Sequence, residues 1–103
     1  MQNHKTTTDV TPLLISAITN SSLSKEEKSK VLVLIQQRYE YGMKKYGRCL
    51  NTLDGRDDVV DAMEELGDLL QYTYKAKLNG NLSKLKEEMS PCLKMLEKIL
   101  KEK

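Results

Sequence analysis

DAMEELGDLL, residues 61–70, places four acids within eight positions and contains no lysine or arginine. The acids are Asp61, Glu64, Glu65 and Asp68. Helical spacing of about 100° per residue puts them on one face. The opposite face is apolar and carries Val59, Met63, Leu66 and Leu70. The stretch therefore predicts an amphipathic helix with one apolar face and one purely acidic face.

Capping signals upstream of this helix predict two more. Asp9 or Thr11 can cap a short first helix. Ser24 and Glu27 have the spacing of a capping box, which predicts the start of a second helix. Gly47 is expected to end that helix, since glycine adopts the left-handed conformation common at helix C-termini.

Signals downstream complete the predicted architecture. The third helix is expected from about Asp57 to about Leu78, and the fourth from Leu82. Pro91 interrupts the fourth and Ser90 can cap a restart, so we expect a kink or a helix in two pieces. The fold class predicted is all-α, an antiparallel bundle of about four helices. Residues 1–8 are expected to be a disordered tail, and residues 9–103 a single domain.

Composition narrows the class of protein. The 103 residues carry a net charge of only +2, so no nucleic-acid partner is expected. No apolar run approaches the roughly 20 residues that span a membrane. Without a secretory signal, Cys49 and Cys92 are expected to be reduced in a cytoplasmic protein, in the host cytoplasm if the source is viral. The absence of Phe and Trp favours a homo-oligomer, a dimer or tetramer.

The acidic face has two interpretations that spacing alone leaves open. It is either a solvated surface beside a lysine-rich helix or a binding site for a cation. Like charges one turn apart cost a few tenths of a kcal/mol per pair, which a divalent cation would offset. Mg²⁺ fits best because it takes carboxylate oxygens and substrate phosphates. One helix cannot surround a metal, and Glu40 on the second helix is the candidate for a further ligand.

The stretch also resembles a known family. EELGDLL, residues 64–70, looks like the second metal-binding motif, E-x-x-D, of the MazG-like all-α nucleoside triphosphate pyrophosphohydrolases. KKYG, residues 44–47, and DAMEELGDLLQY, residues 61–72, resemble short viral and phage members. The resemblance covers about residues 31–78. It implies a helical bundle, usually oligomeric, that uses Mg²⁺ to cleave nucleotides between the α and β phosphates, giving a monophosphate and pyrophosphate.

The resemblance implies roles for individual residues. Glu65 and Asp68 match the E-x-x-D pair and, with Glu40, would bind Mg²⁺. As a mechanistic hypothesis, the attacking water would be activated by a metal or by a free carboxylate, Glu64 or Asp61. The cations expected to hold the phosphates are Lys44, Lys45, Arg48 and Arg56, and Tyr72 is the candidate for contact with the base.

The sequence departs from the family at its first motif. Larger members carry E-E-x-x-E, whereas residues 36–40 read QQRYE, so that only Glu40 remains of the three acids. This reduction favours an alternative, a non-catalytic protein that sequesters a nucleotide on the same fold. A second alternative is a helical interaction module whose acidic face serves only solubility.

Overall fold

The computed structural model describes residues 8–47 and 50–102. These residues form four helices: α1 (Val10–Thr19), α2 (Lys25–Tyr46), α3 (Asp58–Leu78) and α4 (Leu82–Lys101). Outside the helices, Asp9 and Asn51 form an isolated antiparallel β-bridge. The prediction of an all-α fold with about four helices is confirmed. Within the described ranges, no helix is both long and apolar enough to cross a membrane.

The ends of α2 follow from its local sequence. Ser24 Oγ accepts a hydrogen bond from Glu27 N at 3.1 Å, and Glu27 Oε1 accepts one from Ser24 N at 3.0 Å, so the predicted capping box is present. Gly47 ends the helix with a φ of 71°, and its N donates to Met43 O at 2.9 Å. α1 differs in one respect. Asp9 occupies its N-cap position, but the Asp9 side chain makes no capping hydrogen bond.

The segment before α1 is tied to the connection after α2. Thr8 N donates to Thr52 Oγ1 at 3.0 Å, and Thr8 O accepts from Thr52 N at 2.9 Å. Val10 N donates to Leu50 O at 2.9 Å. Residues 1–7 of the predicted tail lie outside the described residues, so the tail stays a prediction.

α4 runs as one continuous helix through Pro91. The expectation that this helix forms two separate pieces is therefore wrong. Proline removes one N–H from a helix and crowds the preceding turn. Pro91 is buried, and burial of its ring offsets part of that cost.

The chain divides into two compact units. The first contains α1, α2 and α4 from Pro91 onward, and the second contains residues 55–90. The core of the first unit is formed by Ile18, Val31 and Met95. Partly buried apolar side chains pack against this core: Leu14, Leu23, Leu32, Ile35 and Cys92. The expectation of a single domain over residues 9–103 stays a prediction.

An ion pair joins α4 to the start of α2 within the first unit. Lys94 Nζ donates to Glu27 Oε2 at 2.5 Å. The hydrogen bond from Lys94, followed by that from the Ser24 backbone, lowers the pKa of Glu27 below its ordinary value. The Glu27 carboxylate thus takes part in the capping box of α2 and also contacts the C-terminal half of α4. The residue that begins α2 therefore also contributes to the packing of the first unit.

Candidate functional site

The acidic helix α3 is initiated by its own first residues. Asp57 occupies the N-cap position, and its Oδ1 accepts a hydrogen bond from Val60 N at 3.0 Å. Asp58 and Asp61 lie in the first turn, where negative charge is favoured by the helix dipole. The helix therefore begins where the sequence predicts, and helical spacing from this start determines which side chains share a face.

Two predicted site residues bind each other at the beginning of α3. Arg56 Nε donates to Asp61 Oδ2 at 2.7 Å, and Arg56 Nη2 donates to Asp61 Oδ1 at 2.9 Å. This two-pronged geometry is the strong form of a carboxylate–guanidinium contact. The hydrogen bonds from Arg56 lower the pKa of Asp61 below its ordinary value. Asp61 is therefore a weak base, and both of its oxygens are engaged.

The other acids of this face are exposed. Within the part of the chain that the structure describes, no hydrogen bond or ion pair involves the side chain of Glu64, Glu65 or Asp68. Tyr72 follows Asp68 by one helical turn on the same face and is also exposed. The second unit thus presents three uncompensated carboxylates and a tyrosine along about two turns of helix.

The carboxylates of these acids are suitable ligands for Mg²⁺, but among the described residues they are not grouped into a complete metal site. Carboxylate oxygens are the ligands that Mg²⁺ prefers. Across residues 8–47 and 50–102, no three His, Cys, Asp or Glu side chains are grouped closely enough to hold a metal ion. The prediction that Glu40, Glu65 and Asp68 bind Mg²⁺ stays a prediction.

Three further predicted residues lie in the C-terminal half of α2, in the first unit. Glu40, Lys44 and Lys45 are exposed, and Arg48 lies outside the described residues. The predicted site residues therefore fall into two sets, one on each unit. The second unit holds the other set: Arg56, Asp61, Glu64, Glu65, Asp68 and Tyr72.

A cluster of cations and tyrosines on α2 was not predicted. Arg38 lies 4.6 Å from the centroid of the Tyr41 ring. Lys45 Nζ lies 5.6 Å from the Tyr41 centroid and 5.3 Å from the Tyr46 centroid. Hydrogen bonding with Tyr41, and then with Tyr46, raises the pKa of Lys45 above its ordinary value. The separations of three residues for Arg38–Tyr41 and four for Tyr41–Lys45 are the sequence signal for these two contacts.

Open grooves also lie on the described part of the first unit. One, of about 520 Å³, is bordered by Lys25, Lys28 and Gln36. The other, of about 460 Å³, contains Lys98 and the two ion pairs Glu27–Lys94 and Glu97–Lys101. Neither groove includes a residue predicted for the site. In the second groove, the carboxylates of Glu27 and Glu97 already accept hydrogen bonds from Lys94 and Lys101.

Comparison with protein-family models, with curated proteins and with solved structures finds no match to this chain. The fold and the candidate site define a small all-α protein with an exposed acidic helix. The resemblance to the MazG-like enzymes rests on the α3 motif and its flanking residues.

Proposed function

We propose that this protein is a Mg²⁺-dependent hydrolase of the MazG-like type. Its substrates would be (deoxy)nucleoside triphosphates or related nucleotides, and its products a monophosphate and pyrophosphate. The observation that carries the proposal is the face of α3. Glu64, Glu65 and Asp68 are exposed there, and no described cation offsets them. Like charges so close together cost free energy, which is offset when a bound ligand carries positive charge.

The proposed binding roles are assigned on each unit by itself. On the second unit, Glu65 and Asp68 would hold Mg²⁺, which when bound supplies positive charge against the phosphates. On the first unit, Lys44 and Lys45 are candidates for charge-assisted hydrogen bonds to phosphate oxygens, and the role predicted for Glu40 stays a prediction. Arg48 and Arg56 are further candidates for this contact. Tyr72 offers an exposed ring on which a base can stack.

The choice of general base follows from the Arg56–Asp61 pair. Asp61 accepts two hydrogen bonds from Arg56, which lowers its pKa and occupies both oxygens. Glu64 has no such partner among the described residues. Glu64 is therefore the better acceptor for the proton of the attacking water. The water oxygen forms a bond to the α-phosphorus, the bond to the bridging oxygen breaks, and pyrophosphate leaves.

The direct test is product analysis of the full chain with a panel of nucleoside and deoxynucleoside triphosphates, with and without Mg²⁺. We expect Mg²⁺-dependent release of pyrophosphate and a monophosphate from at least one nucleotide. Glu65→Gln and Asp68→Asn should abolish release while helix content is retained. Glu88→Gln is the matched control, because it removes an exposed acid of α4 in the same unit. Absence of turnover across the whole panel would refute the enzymatic proposal.

A second candidate, a protein that binds a nucleotide without hydrolysing it, is favoured by a specific observation. Gln36 and Gln37 stand where the resemblance implies carboxylates, so fewer negative ligands are present on α2. A ligand at 100 times its Kd stabilises a fold by about 2.7 kcal/mol, which is measurable as a rise in Tm. A rise in Tm with recovery of unaltered nucleotide from the denatured protein would favour this candidate. If the chain is only an interaction module, Mg²⁺ and nucleotides should leave Tm unchanged.

A further inference from the structure

The residues at the start of α1 are joined by hydrogen bonds to the connection that follows α2. Thr8 N donates to Thr52 Oγ1 at 3.0 Å, and Thr8 O accepts from Thr52 N at 2.9 Å. Val10 N donates to Leu50 O at 2.9 Å. The two residues between these contacts form the antiparallel bridge. Two short segments that are distant in the sequence therefore pair along their backbones.

We call residues 8–10 the strap and residues 50–52 the paired segment. Both lie in the first unit, so their pairing is a feature of that unit by itself. None of these six residues belongs to the core of Ile18, Val31 and Met95 or to the side chains packed against it. Segments outside a core can open locally at a lower free energy than global unfolding requires. The pairing can therefore open while the core stays packed.

The start of α1 depends on the paired segment. The first N–H groups of a helix have no acceptor within the helix. Asp9 occupies the N-cap position, but its side chain makes no capping hydrogen bond. Leu50 O instead accepts from Val10 N, the first N–H of the helix. Because α1 has only ten residues and so short a helix is marginal alone, loss of this contact should loosen its first turn.

The paired segment depends on the strap in turn. Thr52 N finds its acceptor in Thr8 O, and the Thr52 hydroxyl accepts from Thr8 N. Within the connection itself, Asn51 Oδ1 accepts from Leu53 N at 3.0 Å, which forms a local turn. That turn shapes the segment but does not attach it to α1. The hydrogen bonds with the strap are what hold the segment beside the start of α1.

We propose that the strap is a conformational coupling device, through which the start of α1 and the paired segment open and close together. Each segment satisfies backbone groups of the other, so loosening either one removes partners from both. A contact that orders the connection after α2 would therefore also order the first turn of α1, and the reverse would hold equally. The inference does not depend on the proposed hydrolase activity.

The first test is amide hydrogen exchange of the full chain, followed by NMR, in Val10→Pro. Proline is tolerated at the first position of a helix, and Asp9 already has the extended conformation that a residue before proline adopts. The substitution therefore removes the donor to Leu50 O without interrupting α1. We expect Thr52 N to exchange about fivefold faster, the factor that corresponds to about 1 kcal/mol for one hydrogen bond. Val10→Ala is the matched control, because it keeps the N–H, and it should have a smaller effect.

The second test runs in the opposite direction and uses Thr52→Val. Valine has nearly the shape of threonine but lacks the hydroxyl that accepts from Thr8 N. We expect Val10 N to exchange about fivefold faster, although its own acceptor is unchanged. Thr52→Ser keeps a hydroxyl and should restore slow exchange at Val10 N.

Three outcomes would overturn the proposal. Unchanged exchange of Thr52 N in Val10→Pro would mean that the two segments open independently. Unchanged exchange of Val10 N in Thr52→Val would mean the same from the other side. Equal acceleration at Val31 N, in the core, would mean that the pairing opens only when the whole first unit unfolds, so that it is no local device.

Discussion

Arg56 donates two hydrogen bonds, of 2.7 and 2.9 Å, to the carboxylate of Asp61 at the start of α3. The sequence suggested separate roles for these residues, phosphate contact for Arg56 and water activation for Asp61. Because the guanidinium donates to both oxygens of the carboxylate through Nε and Nη2, a phosphate group would compete with Asp61 for that edge of Arg56. The Arg56–Asp61 pair at the start of α3 thus affects the phosphate contact that is proposed for Arg56.

The pair predicts a specific titration. The pKa of Asp61 should lie below the ordinary aspartate value, and Arg56→Gln should raise it towards that value because the hydrogen bonds are lost. A group whose pKa is lowered on folding stabilises the fold above its unfolded pKa, and this contribution is lost as pH falls through the folded pKa. Arg56→Gln should therefore weaken the acid-side pH dependence of stability. Carboxyl NMR titration is the measurement. Arg38→Gln, which removes a cation from α2, is the control, and an unchanged Asp61 pKa in Arg56→Gln would contradict the prediction.

The core of the first unit predicts different costs for two valines of the same helix. Val31 is 3 % exposed and Val33 is 54 % exposed. Val31→Ala should lower the free energy of unfolding by about 2 kcal/mol, from lost burial of two methyl groups and the cavity left behind. Val33→Ala should change it by about 0.5 kcal/mol or less. Chemical denaturation of both variants tests this, and equal costs would mean that the burial pattern of α2 is wrong.

The capping box at Ser24 should contribute measurably to α2. Ser24→Ala removes the acceptor for Glu27 N and should cost about 1 kcal/mol. Ser22→Ala provides a control, since Ser22 is an exposed serine two residues earlier and outside the helix. Thermal unfolding of both variants makes the comparison. A loss no larger in Ser24→Ala than in Ser22→Ala would show that the box contributes nothing to stability.

Two glycines near the end of α2 should respond in opposite directions to alanine. Gly47 has a φ of 71°, which strains any residue with a Cβ, so Gly47→Ala should destabilise by about 1 kcal/mol. Gly42 lies within the helix, and a methyl group added there would meet no atom within 4 Å. Gly42→Ala should therefore stabilise by about 0.5–1 kcal/mol. Denaturant unfolding of each single variant gives the sign. Stabilisation by Gly47→Ala would contradict the left-handed ending of α2.

The helices were predictable because their signals are local. The Ser24–Glu27 box, the glycine at position 47 and the acids at the start of α3 act through backbone groups no more than four residues away. Of the two outcomes expected at Pro91, a helix in two pieces was wrong, since that residue is buried in a continuous helix, and a kink stays a prediction. Whether a proline interrupts a helix depends on what packs around its ring, and neighbouring residues do not specify this packing.

The sequence alone determined the helical fold class and the amphipathic character of α3, because spacing along a helix fixes which side chains share a face. Only the tertiary structure decided that Ile18, Val31 and Met95 form the core of the first unit. It also decided that Asp61 is bound by Arg56 whereas Glu64 is exposed. Periodicity gives the direction of a side chain but not what lies opposite it, and the groups opposite are brought there by the folded backbone.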